Sequence, residues 1–340
     1  VRGQPPRTRI DVHAHLVPDF YRSALADLGI RRVSGMPVPS WTPAAALGVM
    51  DRFGIELQIL SMSEPAVTPF SGAAATAMAR RINAYEAELI EQFPGRFGAL
   101  AVLPLPDPEA SALIAVEALD ELRLDGIVVG TTYPGTSLGS PALDALWAEL
   151  DARDAWVFVH PSAPPDDARP VLKLPPFLYE FTFETTRAIT DLVLSGVPQR
   201  HPRIRWHLAH AGGAVPAIAG RLVREAERAA VASTAHPVRA AAAAAGLLEP
   251  EVVRGALGRL FYDTALAPAP SAMDALRTLA PLDHILFGTD WPYAQTLLLG
   301  AGDPQPELAR AFTPAERRAV ERANALAQLP TIATRLRADR

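Results

Sequence analysis

Eight short β-rich segments recur along this chain, and four of them end in histidine or aspartate. Asp11-Val-His13-Ala-His15 closes the first, and His160 closes Ala155-Trp-Val-Phe-Val-His160. His210 closes Ile204–His210, and Asp290 closes Ile285–Asp290. Each is the last polar residue of an apolar run and is followed by turn residues. The strand candidates are Arg9–His15, Leu57–Ser63, Phe97–Leu103, Gly126–Thr132, Trp156–His160, Ile204–His210, Leu260–Thr264 and Ile285–Asp290. Helical stretches are expected between them, over 42–53, 72–92, 108–122, 141–153, 185–195, 215–232 and 271–279. Such alternation reads as repeated βαβ units. Eight units predict an α/β fold, a (β/α)8 TIM barrel, in which the strand ends converge on the site of chemistry. A doubly wound open sheet is the alternative.

The 340 residues are read as one domain, 1–340, since no linker or internal repeat divides them. Nearly half are hydrophobic, enough for a large core. Proline-rich stretches over 36–43 and 161–176 read as long loops after the first and fifth strands. Residues 233–258 read as extra helix, and the last forty as a C-terminal helical extension. Ser40-Trp-Thr42-Pro43 and Ser140-Pro141 place a hydroxyl before a proline, as at helix starts. The net charge of −5 argues against nucleic acid and anionic membranes as partners, leaving a small molecule. With no cysteine, thiolate metal sites, disulfides and a thiol nucleophile are excluded. No apolar run reaches the ~18 residues of a membrane span, and residues 1–9 show no apolar signal region. Those two features point to the cytoplasm.

Side chains alternate across a strand, so Asp11, His13 and His15 share one face. Three imidazoles and a carboxylate, from His13, His15, His160 and Asp290, form a nitrogen and oxygen donor set for one divalent metal. Zinc is expected, with manganese as the alternative. A second metal bridged by a carboxylated lysine is not expected, because the one lysine, Lys173, lies in a proline-rich loop. His210 precedes Ala211-Gly212-Gly213, a turn that lets ligand and backbone approach closely, and is left free to move protons. It is placed on the strand face of Trp206 and Leu208, with His207 facing the helices or the surface. His201, His236 and His284 are read in the same outward way.

In these residues the chain resembles the amidohydrolase superfamily, in the branch related to aminocarboxymuconate-semialdehyde decarboxylase. The motifs are Asp11-Val-His13-Ala-His15, Trp41-Thr-Pro43, Pro94-Gly-Arg-Phe97, Val159-His-Pro161, His210-Ala-Gly-Gly213 and Gly288-Thr-Asp-Trp-Pro292. They run in this order along nearly the whole chain. The resemblance implies that His13, His15, His160 and Asp290 bind metal and that His210 and Asp290 are catalytic. It implies that Phe177 lies against the substrate. It also implies that Arg221 reaches a substrate carboxylate across a homodimer interface, although a surface ion pair on its helix is an open alternative. An arginine upstream of Trp41 has no secure counterpart, since the Val33–Trp41 loop differs.

Decarboxylation of an electron-rich acid needs an anchor for its oxygens, protonation of the carbon bearing CO₂⁻, and stabilisation of developing charge. A divalent metal supplies the first and last, and His210 or Asp290 the proton. Phe177, Tyr179, Phe181 and Trp291 are candidates for stacking on a planar ring. The expected activity is metal-dependent, non-oxidative decarboxylation of a small aromatic or unsaturated carboxylic acid. A salicylate-type acid is favoured. Hydrolysis of a lactone, amide or ester is the alternative, with Asp290 taking the proton of water and His210 stabilising the oxyanion.

Overall fold

Parallel strands buried on both faces need near-continuous apolar runs, and the barrel strands have them. A computed structural model describes residues 6–164, 174–232, 237–294 and 303–338. In chain order the strands are β1 Arg9–His15, a small hairpin of β2 Arg32–Val33 and β3 Met36–Pro37, then β4 Ile55–Ser61 and β5 Phe97–Val102. They continue with β6 Gly126–Gly130, β7 Trp156–His160, β8 Arg205–Leu208, β9 Phe261–Asp263 and β10 Ile285–Leu286. The eight long-range strands pair in parallel in the order β1-β4-β5-β6-β7-β8-β9-β10. Intervening helices cover the outside, giving the expected (β/α)8 barrel.

The barrel closes through irregular backbone rather than a regular ladder. Val12 N donates to Phe287 O at 2.9 Å, Asp290 N to His13 O at 2.8 Å and His15 N to Trp291 O at 2.7 Å. Gly288 makes this approach possible, because a Cβ there would stand 2.7 Å from His13 Cβ. Most predicted strands end early, including the two that carry His210 and Asp290. β10 stops at Leu286, not Asp290, and β8 at Leu208, not His210. His210 and Asp290 both adopt left-handed backbone, at φ 54° and 59°, which breaks the strand and turns each side chain.

The helices start where hydroxyl and carboxylate caps stand. Thr42 accepts from Ala45 N ahead of α2 (Pro43–Phe53), and Gly54 closes that helix in the left-handed region at φ 65°. Asp107 likewise caps the helix Pro108–Val116. Ser140 caps a 3₁₀ turn, Pro141–Leu143, before the helix Asp144–Ala152. The helix Glu180–Leu194 begins five residues earlier than predicted, absorbing the aromatic-rich stretch from 180 to 184. At the N-terminal ends of the strands, the C-terminal helix Pro330–Ala338 is clasped to the barrel. Arg335 donates to both oxygens of the buried Asp125, at 2.9 and 2.7 Å, and Thr331 Oγ1 adds a bond of 2.8 Å. Among the described residues no helix is long and apolar enough to cross a membrane.

Candidate metal centre and active site

β1 delivers His13 and His15 to the C-terminal mouth of the barrel, β7 delivers His160, and the closing segment after β10 delivers Asp290. One donor atom from each lies within 4.8 Å of every other. His13 Nε2 and His15 Nε2 are 3.1 Å apart, and Asp290 Oδ1 is 3.1 Å from His15 Nε2 and 3.5 Å from His13 Nε2. Donors shared by one tetrahedral ion at ~2.1 Å would stand ~3.4 Å apart, so this spacing fits a common cation. His160 Nε2 is buried and has no hydrogen-bond partner, as expected of an atom whose partner is a metal. Residues from three separate segments of the chain are thus brought together.

The electrostatics describe a set of donors competing for too few protons. Burial disfavours charge on His13, but Asp263 and Asp290 outweigh it and raise that imidazole to about 10. Burial, then the neighbouring His15 and His13, hold His160 well below the usual imidazole range. Burial pushes the Asp290 carboxyl up, yet bonds from His13 and His15 bring it well below the usual carboxylate range. A cation at the cluster would take the place of the proton that His13 now shares with its neighbours. Asp11 does not join them. It binds Gln58 Nε2 at 2.9 Å and the Thr289 hydroxyl at 2.6 Å, and so ties β1 to the segment carrying Asp290.

Behind the cluster stands Asp263, at the end of β9, which sequence reasoning missed. Its Oδ2 accepts from His13 Nδ1 at 2.8 Å and His207 Nε2 at 3.0 Å. His207 is therefore fully buried inside the barrel, not outward-facing as predicted. The alternation was applied from the wrong end. Trp206 packs outward against Trp147, ring centroids 5.1 Å apart, which sends His207 inward. His210 lies beyond the strand and reaches the interior only through its left-handed backbone. Its Nδ1 lies 2.9 Å from Ala265 O, and its ring is 4.9 Å from that of His13. His284 also departs from its outward reading, stacking on Phe261 at 4.2 Å, whereas His236 and Lys173 lie outside the described residues. His13, His210 and Asp263 form a second close group. Both Asp263 oxygens already hold two N–H donors each, so that group reads as a hydrogen-bond cluster.

A cavity of about 380 Å³ adjoins His160 and is walled by the loops after β4, β6 and β7. The lining is mostly apolar, with Val102, Leu103, Val128 and Tyr133 prominent. Among the described residues its lining holds no arginine or lysine, and Glu64 is its one carboxylate. Glu64 accepts from the Ser34 hydroxyl of the hairpin, and burial raises its carboxyl above the usual range. Tyr293, also missed from sequence, sets its ring 5.5 Å from that of His15. Of the predicted substrate residues, Phe181 sets its ring 6.4 Å from that of His160, whereas Phe177, Arg221 and Trp291 do not line this cavity. Phe177 is 41% exposed on a short 3₁₀ turn, Arg221 is exposed on α8 (Val215–Ala232), and Trp291 is buried beside the closing segment.

Fold and site together define a β/α barrel built around a buried His/Asp centre. The amidohydrolase family model matches residues 10–330, and the chain belongs to that family. A decarboxylase from Aspergillus niger is 34% identical over 302 residues, spanning 84% of this chain and 77% of its own. A 6-methylsalicylic acid decarboxylase from Aspergillus aculeatus is 34% identical over 290 residues, spanning 84% of each chain. A crystal structure of 5-carboxyvanillate decarboxylase from Novosphingobium aromaticivorans, complexed with manganese and 4-hydroxy-3-methoxy-5-nitrobenzoic acid, matches with a TM-score of 0.80. That match covers 95% of this chain and 96% of the other at 20% identity, and speaks for the fold alone. The buried His13, His15, His160 and Asp290 cluster has the donor set and spacing of a site for one divalent metal.

Proposed function

We propose that this chain is a metal-dependent, non-oxidative decarboxylase of a salicylate-type aromatic monocarboxylic acid. The observation that carries this reading is the buried His13, His15, His160 and Asp290 cluster adjoining a mostly apolar cavity that, among the described residues, has no cationic lining. Among the described residues, a second carboxylate on the substrate would find no cation there and would meet Glu64 instead. His13, His15, His160 and Asp290 are the proposed ligands of one ion. Three imidazoles suit zinc, but the manganese-bound relatives favour manganese, and manganese is the metal proposed.

An ion held by His13, His15, His160 and Asp290 would supply Lewis-acid attraction for the oxygens of an anionic substrate. His210 Nδ1 donates to the Ala265 carbonyl, which leaves Nε2 with its lone pair toward the site. Nε2 takes the phenolic proton as the acid binds and returns it to the ring carbon that bears CO₂⁻. A C–H bond forms there, the C–C bond to the carboxylate breaks, and its electron pair returns to the ring and phenolic oxygen as CO₂ leaves. Asp290 is the second group able to hold that proton. The apolar walls take the ring and an alkyl substituent. Arg221, exposed on α8, is proposed to serve a second copy in a homodimer, and the whole chain is proposed to act as one cytoplasmic domain.

The test uses protein loaded with manganese or with zinc, offered a series of 2-hydroxybenzoates and a series of lactones. Release of CO₂, one solvent deuteron at the vacated carbon and one ion per chain by elemental analysis are expected. Hydrolysis of a lactone with no CO₂ from any 2-hydroxybenzoate would replace this reading with the hydrolase one.

A further inference from the structure

We propose that Asp263 is a positioning residue that sets the metal ligand His13 and the proton-transfer residue His210 at once, with His207 as its buried anchor. The inference rests on the metal and His210 roles proposed above.

Asp263 is completely buried, where a lone carboxylate would be very costly. Four N–H donors offset that cost. On Oδ2 they are His13 Nδ1 and His207 Nε2, at 2.8 and 3.0 Å. On Oδ1 they are the backbone N–H groups of His210 and Ala265, both at 3.0 Å. Each oxygen therefore has a different task. With Nδ1 donating to Oδ2, it is Nε2 of His13 that faces His15, His160 and Asp290, and a metal displacing the Nε2 proton would find the tautomer that a ligand needs. Oδ1 holds the backbone of His210, a residue with φ 54°, where a side chain is disfavoured without such support. Ala265 closes the loop, since its N–H goes to Asp263 and its carbonyl holds His210 Nδ1 at 2.9 Å.

His207 shows that this arrangement is kept at a cost. Its ring stacks on Phe158 with centroids 4.4 Å apart and lies 5.4 Å from Trp156, an aromatic setting where a phenyl ring would pack well. Its Nδ1 is nevertheless buried without a partner. An unsatisfied buried acceptor is destabilising, so the imidazole earns its position through the single bond from Nε2 to Asp263. That bond holds the carboxylate in the orientation that both other histidines use.

The experiment measures Mn(II) affinity of metal-stripped protein by electron paramagnetic resonance, on wild type, Asp263→Asn, Asp263→Glu and His207→Phe. Thermal stability is recorded for each. Asp263→Asn is expected to weaken Mn(II) binding by about 10- to 100-fold and to remove the downfield resonance of the His13 Nδ1 proton. Asp263→Glu should recover part of the affinity. His207→Phe is the safeguard should Asp263→Asn not fold. It fills the aromatic stack, so it should keep or raise the melting temperature while weakening Mn(II) binding several-fold. Unchanged Mn(II) affinity in a folded Asp263→Asn protein, or in His207→Phe, would overturn the proposal. Failure of wild type to bind one equivalent of Mn(II) would instead strike the metal reading beneath it.

Discussion

His210 has one proton placement open to it. A carbonyl can only accept, so the Ala265 oxygen fixes hydrogen on Nδ1 and leaves Nε2 as the base. Burial, then the charge on His13, lower its affinity for a proton, which suits a group that must give one back. His210→Asn should therefore keep the fold and bound metal but lower kcat by about 10²- to 10⁴-fold. Metal content and turnover measured on the same sample decide the matter. Loss of metal would place His210 among the ligands, and normal turnover would remove it from proton transfer. The residues at this scale divide by how far the sequence could speak. His13, His15, His160 and Asp290 end apolar segments in a recognisable order, so their convergence was legible. Asp263 was not, because it sits in a short Phe-Tyr-Asp strand with no nearby histidine and gains meaning from three histidines that are 53 or more residues away.

Elements were legible in kind and misjudged at their ends, and the errors fall beside the site. Periodicity gives the body of β8 and β10, but it cannot foresee that His210 and Asp290 leave strand geometry for left-handed backbone. His207 faces inward for the same reason, since the interior position that strand alternation would give to His210 is reached only through that turn. Helix α3 (Ala73–Gln92) shows a different conflict between local pattern and burial. Glu86 lies on its inner face, fully buried, with no partner on either carboxylate oxygen. Burial raises its carboxyl well above the usual value, so the folded protein holds the proton over a range where the unfolded chain has lost it. Below the unfolded-state value near 4.5 the two states bind it equally and no penalty exists. As pH rises past that value stability falls, by about 1.4 kcal/mol for each unit until the folded-state group also ionises. Glu86→Gln removes this dependence. Its melting temperature should match wild type near pH 4 and exceed it by a growing margin as pH rises above the unfolded-state value. A difference that stays constant across that range would show that ionisation of Glu86 is not what limits stability.

At the scale of the whole molecule, the barrel's two ends do different work. The C-terminal ends of the strands carry the donor cluster and cavity, whereas the N-terminal ends are sealed by the last helix. The sequence showed that a helical extension follows the eighth strand, but not where it docks, because Arg335 and Asp125 stand 210 residues apart with no shared motif. Asp125 is fully buried at its side chain, and its oxygens take Arg335, Thr331 Oγ1 and the Ala99 backbone N–H. Arg335 retains some exposure at 19%, so the two partners do not suffer equally when separated. Arg335→Leu strands a carboxylate in the interior and should destabilise the protein by about 3–5 kcal/mol. Asp125→Asn leaves an arginine that can turn to solvent and should cost less. In the double variant no charge is left buried, so its loss should be smaller than the two single losses added together. Thermal or denaturant unfolding of the four proteins measures this, and decarboxylation per folded molecule should stay constant, since the clasp is at the far end of the barrel from the metal centre. Losses that simply add would show that Arg335 and Asp125 act independently. A fall in turnover without a fall in stability would show that the two ends of the barrel are coupled.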